Sequence, residues 1–116
     1  MRFMVFTSPT EEGLKLPPKA VAYKEHIDFM RGAVESGIIL AALHGKGRAI
    51  FMVNADSELD VDAFFRSAPL AYQTNWVVEP LEDFFEHAHR IHAYLLERDA
   101  KRGAARPPHG APTRAR

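Results

Sequence analysis

Short apolar runs bounded by turn-forming residues predict four β-strands in this chain. The four runs lie at residues 2–7, 38–44, 48–54 and 72–79. Only Gly45-Lys46-Gly47 separates the second run from the third. A spacer this short predicts an antiparallel hairpin, so these two strands should lie side by side.

Between the strands, apolar residues recur at steps of three and four, which is the spacing of one helix face. The first helix is expected to open at Pro17-Pro18, after a polar loop at 8–16, and to end at Gly37. Its predicted core stripe contains Ala20, Tyr23, Ile27, Met30 and Val34.

Two further helices follow the hairpin and the last strand. Ser57 or Asp56 is expected to cap the second helix, which Pro69 ends. The third helix should begin near Leu81. The inward face of the second helix is expected to contain Leu59, Ala63 and Phe64, with Ala68 as a further candidate. The stripe of the third contains Phe84, Ala88, Ile91 and Leu95.

The predicted order of elements is strand, helix, strand, strand, helix, strand, and then an extra helix. This βαββαβ order is that of the ferredoxin-like α+β fold. Residues 1–100 are therefore expected to form one domain, with a size that is ordinary for a single domain.

The predicted strands are apolar on both faces. In the second strand, Ile38 and Leu40 share one parity, while Ile39 and Ala41 share the other. An antiparallel sheet commonly turns one polar face to water, and a large exposed apolar patch marks an interaction surface. We therefore expect a homodimer, or a higher even oligomer, whose sheets pack face to face as a dimeric α+β barrel.

The composition is that of a folded domain, with 116 residues, 47% hydrophobic and 26% charged. The chain has no cysteine, which excludes disulfides, thiolate metal ligands and a cysteine nucleophile. The cytoplasm is the expected compartment. No apolar run is long enough to predict a membrane span.

The net charge of zero conceals two oppositely charged parts. Residues 101–116 carry five basic and no acidic side chains, which leaves ten basic and fifteen acidic side chains in residues 1–100. The tail, rich in Pro and Gly, is expected to be disordered and solubilising, although its cations could touch phosphate or acidic lipid. The acidic domain argues against nucleic acid or membrane as its partner.

Five stretches at the ends of the predicted elements carry a resemblance to a known family. They are residues 1–5, 35–39, 47–53, 64–72 and 77–81. In these stretches, within residues 1–82, the chain resembles the muconolactone isomerase-like family. The resemblance implies a dimeric α+β barrel that shifts a carbon–carbon double bond in an unsaturated lactone by proton transfer, without a cofactor. Similar small barrels serve as cyclases and cofactor-free oxygenases in secondary metabolism.

A second stretch is similar to the YCII-like family, which shares this fold. The similarity is carried by residues 26–30, which read His-Ile-Asp-Phe-Met, and by Gly37. YCII-like proteins are suspected of using a His–Asp pair, with the Asp before the Pro of the second helix turn. This chain has Ala68 there, and Phe84-Phe85 where muconolactone isomerase-like chains close on His-Pro.

Moving a double bond next to a carbonyl requires a base, an acid and a donor to the substrate oxygen. His26 lies in a row that flanks the first helix stripe and is the preferred base. The alternative is a half-solvated histidine at the stripe edge. His44, at the end of the second strand, is a second candidate catalytic residue. With Arg48 it could bind a substrate carboxylate, or both could simply be solvated at the hairpin end.

The last strand supplies further candidates. Parity places Asn75 and Glu79 on one face and Trp76 on the other. All three are candidate substrate-binding residues, although Trp76 could equally be core or dimer packing, and Glu79 a surface acid. Tyr72, after the Pro turn, is a candidate catalytic donor. The hydroxyl of Tyr23 could reach the pocket from the first helix.

The third helix carries His87, His89 and His92. Two imidazoles three residues apart suit a transition metal, but a third ligand is not evident, so no metal and no cofactor are expected. Two functional hypotheses remain. The first is a cofactor-independent isomerase or cyclase that acts by proton transfer on an unsaturated lactone or polyketide-like metabolite. The alternative is a non-catalytic dimeric ligand-binding module, or a YCII-like protein of unknown activity.

Overall fold

The computed structural model describes residues 1–105 of the chain. Four strands and four helices make up this part, joined by short connections. They are β1 (Arg2–Pro9), α1 (Glu11–Lys15), α2 (Ala20–Glu35), β2 (Ile39–Gly45), β3 (Arg48–Asn54), α3 (Glu58–Arg66), β4 (Thr74–Leu81) and α4 (Phe84–Ala105).

The strands form one antiparallel sheet in the order β2-β3-β1-β4. This is the ferredoxin-like arrangement, with an added C-terminal helix, and the predicted fold class is confirmed. The predicted hairpin is also present, since β2 and β3 pair down to Gly45 and Arg48. Its turn contains Gly47 at a φ of 73°, a conformation that glycine adopts without steric cost.

The core lies between one face of the sheet and helices α2 and α3. Alternate residues of the central strands point to this face, so Phe3 pairs with Val53 and Val5 with Phe51, all four buried. Ala33 of α2, Ile39 of β2 and two residues of α3 complete the cluster.

The chain has one helix that the sequence does not predict, α1, and α2 begins later than predicted. The predicted loop at 8–16 contains α1, because the hydroxyl of Thr10 accepts a hydrogen bond from the backbone N–H of Gly13 at 3.0 Å. Helix α2 begins at Ala20, after Pro17-Pro18 and the extended N-cap residue Lys19. A proline disfavours the helical conformation in the residue before it, so the pair precedes the helix instead of opening it.

The inward face of α3 also differs from the predicted one. Ser57 caps the helix as predicted, with its side chain accepting from the N–H of Asp60 at 3.2 Å. Val61 and Phe65, four residues apart, are the buried pair. Of the residues predicted to face inward, Leu59 and Ala63 are exposed, whereas the half-buried Phe64 packs against the core and Ala68 is buried.

Strand β4 begins at Thr74, two residues later than predicted. A single 3-10 turn at Ala71–Gln73 precedes it, so Tyr72 lies outside the strand. The strand continues through Pro80 to Leu81. Proline is tolerated here because β4 is an edge strand and has a free side that needs no ladder hydrogen bond.

The opposite face of the sheet is apolar at its centre, as the predicted alternation requires. Leu43 and Val77 are 67% and 59% exposed, on the two edge strands. This face, which we call the open face, is formed in its apolar part by Met4, Phe6, Leu43, Ile50, Met52 and Val77.

Residues 1–81 form one structural unit, and a second unit begins at Glu82. The predicted domain 1–100 therefore includes parts of both. In the second unit, Glu82 pairs with Arg90 and lies 3.5 Å from His87, and the Arg90 guanidinium lowers the pKa of Glu82. The predicted tail starts inside α4, and residues 106–116 lie outside the described residues. Across residues 1–105, no helix has the length and apolar character that a membrane span requires.

Candidate active site

A cavity of about 740 Å³ lies between α2 and the helix-covered face of the sheet. This volume is in the range of small-molecule binding sites. Its wall comes from α2, from the strands, and from the segment that joins α3 to β4. The lining residues with chemistry-bearing side chains include Tyr23, His26, His44, Arg48, Gln73 and Trp76.

Helix α2 supplies the apolar wall of this cavity. The row that packs on the protein contains the half-buried His26 and Phe29 and the buried Ala33, and Phe29 stacks on Phe64 with ring centroids 5.1 Å apart. The stripe predicted as core instead lines the cavity through Tyr23, Ile27, Met30 and Val34. Three of these four side chains are at least 40% exposed, so the stripe faces a space and not a filled core.

His26 is held in one orientation by the backbone of a distant segment. The N–H of Leu70 donates a hydrogen bond to Nδ1 of the imidazole, with the two nitrogens 3.3 Å apart. Because Nδ1 uses its lone pair as the acceptor, the proton of the neutral ring is on Nε2. The second ring nitrogen is therefore a hydrogen-bond donor.

The surroundings of His26 also keep the ring neutral. Burial lowers the pKa of His26 from its ordinary value of 6.5, because desolvation disfavours the charged form. Protonation would also place an N–H on Nδ1, directly opposite the N–H of Leu70. At neutral pH this geometry favours His26 as a neutral hydrogen-bond donor, whereas the sequence predicts it as the base.

His44 reaches the same cavity from the end of β2. Its Cα is paired with that of Ala49, which puts it on the same side of the sheet as Ala42 and Phe51. The residue is exposed, at the outer part of the cavity lining. Both imidazoles singled out from the sequence thus border one cavity.

Arg48 borders the cavity, but its charge is directed elsewhere. The guanidinium carbon lies 4.8 Å from the ring centroid of Phe6, as in a cation–π contact. Phe6 belongs to the open face, opposite the cavity. His44 and Arg48 both border the cavity, and the guanidinium of Arg48 contacts Phe6 in this structure.

Trp76 forms part of the cavity wall, and polar contacts with Asp62 and Arg66 fix its side chain. Its indole N–H donates to Oδ1 of Asp62 at 2.9 Å, and the same carboxylate bonds the guanidinium of Arg66. The Arg66 guanidinium carbon lies 6.0 Å from the indole centroid, and the ring of Phe65 lies 6.3 Å away. Hydrogen bonds from Arg66 and then Trp76 lower the pKa of Asp62, so it remains a carboxylate.

Three of the predicted site residues lie away from the cavity lining. Tyr72 is 67% exposed on the 3-10 turn. Asn75 and Glu79 alternate with Trp76 along β4 and so lie on the open face, as parity predicts. Tyr23, by contrast, lines the cavity from α2.

Gln73 is a lining residue that the sequence reasoning did not single out. Its side-chain N–H donates to the backbone carbonyl of Leu16 at 3.0 Å, and its own backbone carbonyl accepts from the N–H of Thr10 at 2.8 Å. Its Oε1 is buried and has no hydrogen-bond partner. Nothing in the sequence pattern marks this glutamine, because its position depends on the turn that precedes β4.

Metal ligands are not grouped in the part of the chain that is described. Within residues 1–105, no three His, Asp or Glu side chains are close enough together to hold a metal ion. His87, His89 and His92 lie along α4 with exposed side chains.

Comparison with known proteins shows the fold alone. No protein-family model matches the chain, and no curated protein matches it. Among solved structures, it is similar to 5-chloro-2-hydroxyhydroquinone dehydrochlorinase (TftG) from Burkholderia phenoliruptrix AC1100, in complex with 2,5-dihydroxybenzoquinone. The TM-score is 0.56 at 15% identity, covering 74% of this chain and 98% of that chain.

Proposed function

We propose that this protein is a cofactor-independent enzyme that moves a proton within an unsaturated carbonyl compound bound in the cavity. A lactone or a polyketide-like ring is the proposed substrate class. The observation that carries this proposal is the fixed, neutral imidazole of His26 in the wall of an apolar cavity. A neutral donor in such a place suits an oxygen that gains negative charge during the reaction.

The proposed step is a shift of a double bond. A base removes the proton from the carbon between the carbonyl and the double bond, and the electron pair moves onto the carbonyl oxygen. The Nε2–H of His26 stabilises this oxyanion. The base then returns the proton to the far end of the new dienolate, so the product is an isomer and no other reactant is consumed. His44 is the proposed base, because it borders the same cavity.

The sequence predicts His26 as the base, whereas the bond from Leu70 leaves it better suited as the oxyanion donor. We propose that the flat indole of Trp76 and the polar hydroxyl of Tyr23 contact the bound ring. The likeness to a dehydrochlorinase with a bound benzoquinone supports a small cyclic ligand in a cavity of this fold.

Two substitutions separate the two nitrogens of His26. Asparagine places an amide oxygen near the Nδ1 position, so His26→Asn keeps an acceptor for Leu70 and removes the Nε2 donor. Glutamine reaches the Nε2 position, so His26→Gln keeps a donor toward the cavity and loses the acceptor. The pair distinguishes a role toward the ligand from a role in the fold.

The test is deuterium incorporation into a β,γ-unsaturated five-membered lactone in D₂O, followed by NMR. The wild type should accelerate exchange, and His26→Asn should lower the rate by about 100-fold while its melting temperature stays near that of the wild type. His26→Gln should keep part of the rate but be less stable. Equal rates in all three proteins contradict the mechanism. Saturable binding without exchange favours the non-catalytic ligand-binding module.

We also propose that two copies pack through the open face, as a dimeric α+β barrel. The support is the exposure of apolar side chains on both edge strands, Leu43 and Val77, around the apolar centre of the face. Water contact with such a face is unfavourable by roughly 25 cal/mol per Å² of apolar surface, and burial against a second copy removes it. Sedimentation at micromolar concentration tests this proposal.

A further inference from the structure

One residue from each strand contributes to a row across the floor of the cavity. Thr7 of β1 pairs with Ala49 on one side and with Trp76 on the other, and Ala49 pairs in turn with His44. Residues opposite each other in neighbouring strands share a face of the sheet, and Thr7 lies two positions after the buried Val5. The row is therefore on the helix-covered face. In strand order, the residues of this floor row are His44, Ala49, Thr7 and Trp76, and all four line the cavity.

The floor row has a gap at Ala49. Neighbouring strands lie about 4.8 Å apart, so the Cα atoms of His44 and Thr7 are about 10 Å apart, and only a methyl group stands between their side chains. The buried Phe51, two residues further along β3, closes the gap toward the core. Gly47, which lines the cavity at the hairpin turn, has no side chain to close it on the other side. The gap above Ala49 therefore has room for a flat ring.

The hydroxyl of Thr7 is a polar group at the edge of this gap that remains accessible. Thr7 is half-buried, and its hydroxyl has no hydrogen-bond partner within residues 1–105. The side-chain polar atom that is both buried and unpaired in this part of the chain is the Oε1 of Gln73, so the Thr7 oxygen keeps its access to the cavity. A hydroxyl donates one hydrogen bond and accepts two. Thr7 can therefore bind an oxygen atom of a ligand that lies on the floor row.

We infer that the ring of the bound substrate lies over Ala49, between the hydroxyl of Thr7 and the imidazole of His44. Thr7 is then a substrate-binding residue that donates a hydrogen bond to an oxygen of the lactone. Ala49 is a specificity-determining residue, because its methyl group sets the space that the ring can occupy. This inference rests on the proposed function, since it places the reacting ring beside the proposed base.

Coumarin, an unsaturated lactone with two flat fused rings, is the probe for this test. Its dissociation constant is measured by calorimetry for the wild type and for two pairs of variants. Ala49→Leu fills the gap, whereas Ala49→Ser nearly keeps the size of the side chain. Thr7→Val removes the hydroxyl and keeps the branched shape, whereas Thr7→Ser keeps the hydroxyl. Nuclear Overhauser effects between coumarin and the methyl group of Ala49 locate the ring in the wild type, without any substitution.

Ala49→Leu and Thr7→Val should each weaken the binding of coumarin about tenfold, while both serine variants stay within about twofold of the wild type. The wild type should show Overhauser effects to the Ala49 methyl group, and these decide the outcome if a variant fails to fold. Unchanged binding in folded Ala49→Leu or Thr7→Val, bound coumarin without contacts to Ala49, or no binding of coumarin overturns the inference.

Deuterium exchange into the five-membered lactone separates this inference from the proposed function. If coumarin binding depends on Ala49 and Thr7 but the wild type does not accelerate exchange, the position of the ring stands and the proposed function fails. If exchange depends on His26 while Ala49→Leu and Thr7→Val exchange and bind like the wild type, the proposed function stands and this inference fails.

Discussion

The indole N–H of Trp76 donates a hydrogen bond to the carboxylate of Asp62 over 2.9 Å, which joins β4 to α3 beside the cavity. Arg66 bonds the other oxygen of that carboxylate from one helical turn further on. Trp76 is the sole tryptophan of the chain, so its fluorescence reports this contact without interference. The network holds one flat wall of the cavity in a single orientation.

Asp62→Ala should release the indole, whereas Asp62→Asn should retain it through the amide oxygen. In the alanine variant we expect a shifted emission maximum, easier quenching by acrylamide and weaker binding of aromatic ligands. Arg66→Gln is the matched control, because it removes the ion pair and leaves the bond to Trp76. Identical spectra and affinities in the wild type and Asp62→Ala would show that the carboxylate does not position the indole.

The stability of the fold should fall in mildly acidic solution because of His26. Burial lowers its pKa below 6.5, so the unfolded chain binds more protons than the folded one between the folded-state pKa and 6.5. The free energy of unfolding therefore decreases as the pH falls through that window. Urea denaturation at a series of pH values should show this slope in the wild type and a smaller slope in His26→Asn. A variant with the same slope would assign the effect to other groups.

The glycines of the first two helices should respond oppositely to alanine. At Gly13 a Cβ would lie 3.1 Å from the backbone oxygen of Gln73 and 3.3 Å from the hydroxyl of Thr10, so Gly13→Ala should destabilise the fold by about 1–2 kcal/mol. Gly32, inside α2, has no atom within 4 Å of that position. Gly32→Ala should stabilise by about 0.5–1 kcal/mol. Chemical denaturation measures both, and an unchanged stability of Gly13→Ala would mean that the segment 10–16 moves aside freely.

A charge on the open face should separate the proposed dimer. Val77→Lys places an ammonium on a side chain that is 59% exposed, so the isolated protomer should tolerate it, while burial against a second copy should not. Leu59→Lys, on α3 at 80% exposure, is the matched control. We expect monomers for Val77→Lys and dimers for the control in sedimentation equilibrium. A wild type that remains monomeric at micromolar concentration contradicts the barrel.

The sheet followed from the sequence because strand alternation is a local signal. The parity that separates Trp76 from Asn75 needs only one strand, and the turn at Gly47 needs only three residues. The prediction for the inward face of α3 was wrong at Leu59 and Ala63, because this helix has two apolar rows within nine residues. Its length does not decide between Leu59 and Val61, whereas packing against the sheet does.

The candidate site was less predictable, because it depends on contacts between distant segments. The sequence marks His26 and His44 as imidazoles in suitable elements, and the structure brings both to one cavity. The bond that favours a donor role for His26 comes from a backbone N–H forty-four residues away, which no side-chain pattern encodes. The same holds for Gln73, whose surroundings come from the turn before β4 and from the backbone of Thr10 and Leu16.

The protonation state of the two nitrogens of His26 is the most direct test of this account. Nitrogen-15 chemical shifts of the imidazoles, assigned by comparison with His26→Asn, distinguish the two neutral forms and the cation. At neutral pH we predict a neutral ring with its proton on Nε2 and Nδ1 accepting from Leu70. A ring with its proton on Nδ1, or a cation at neutral pH, would contradict the account.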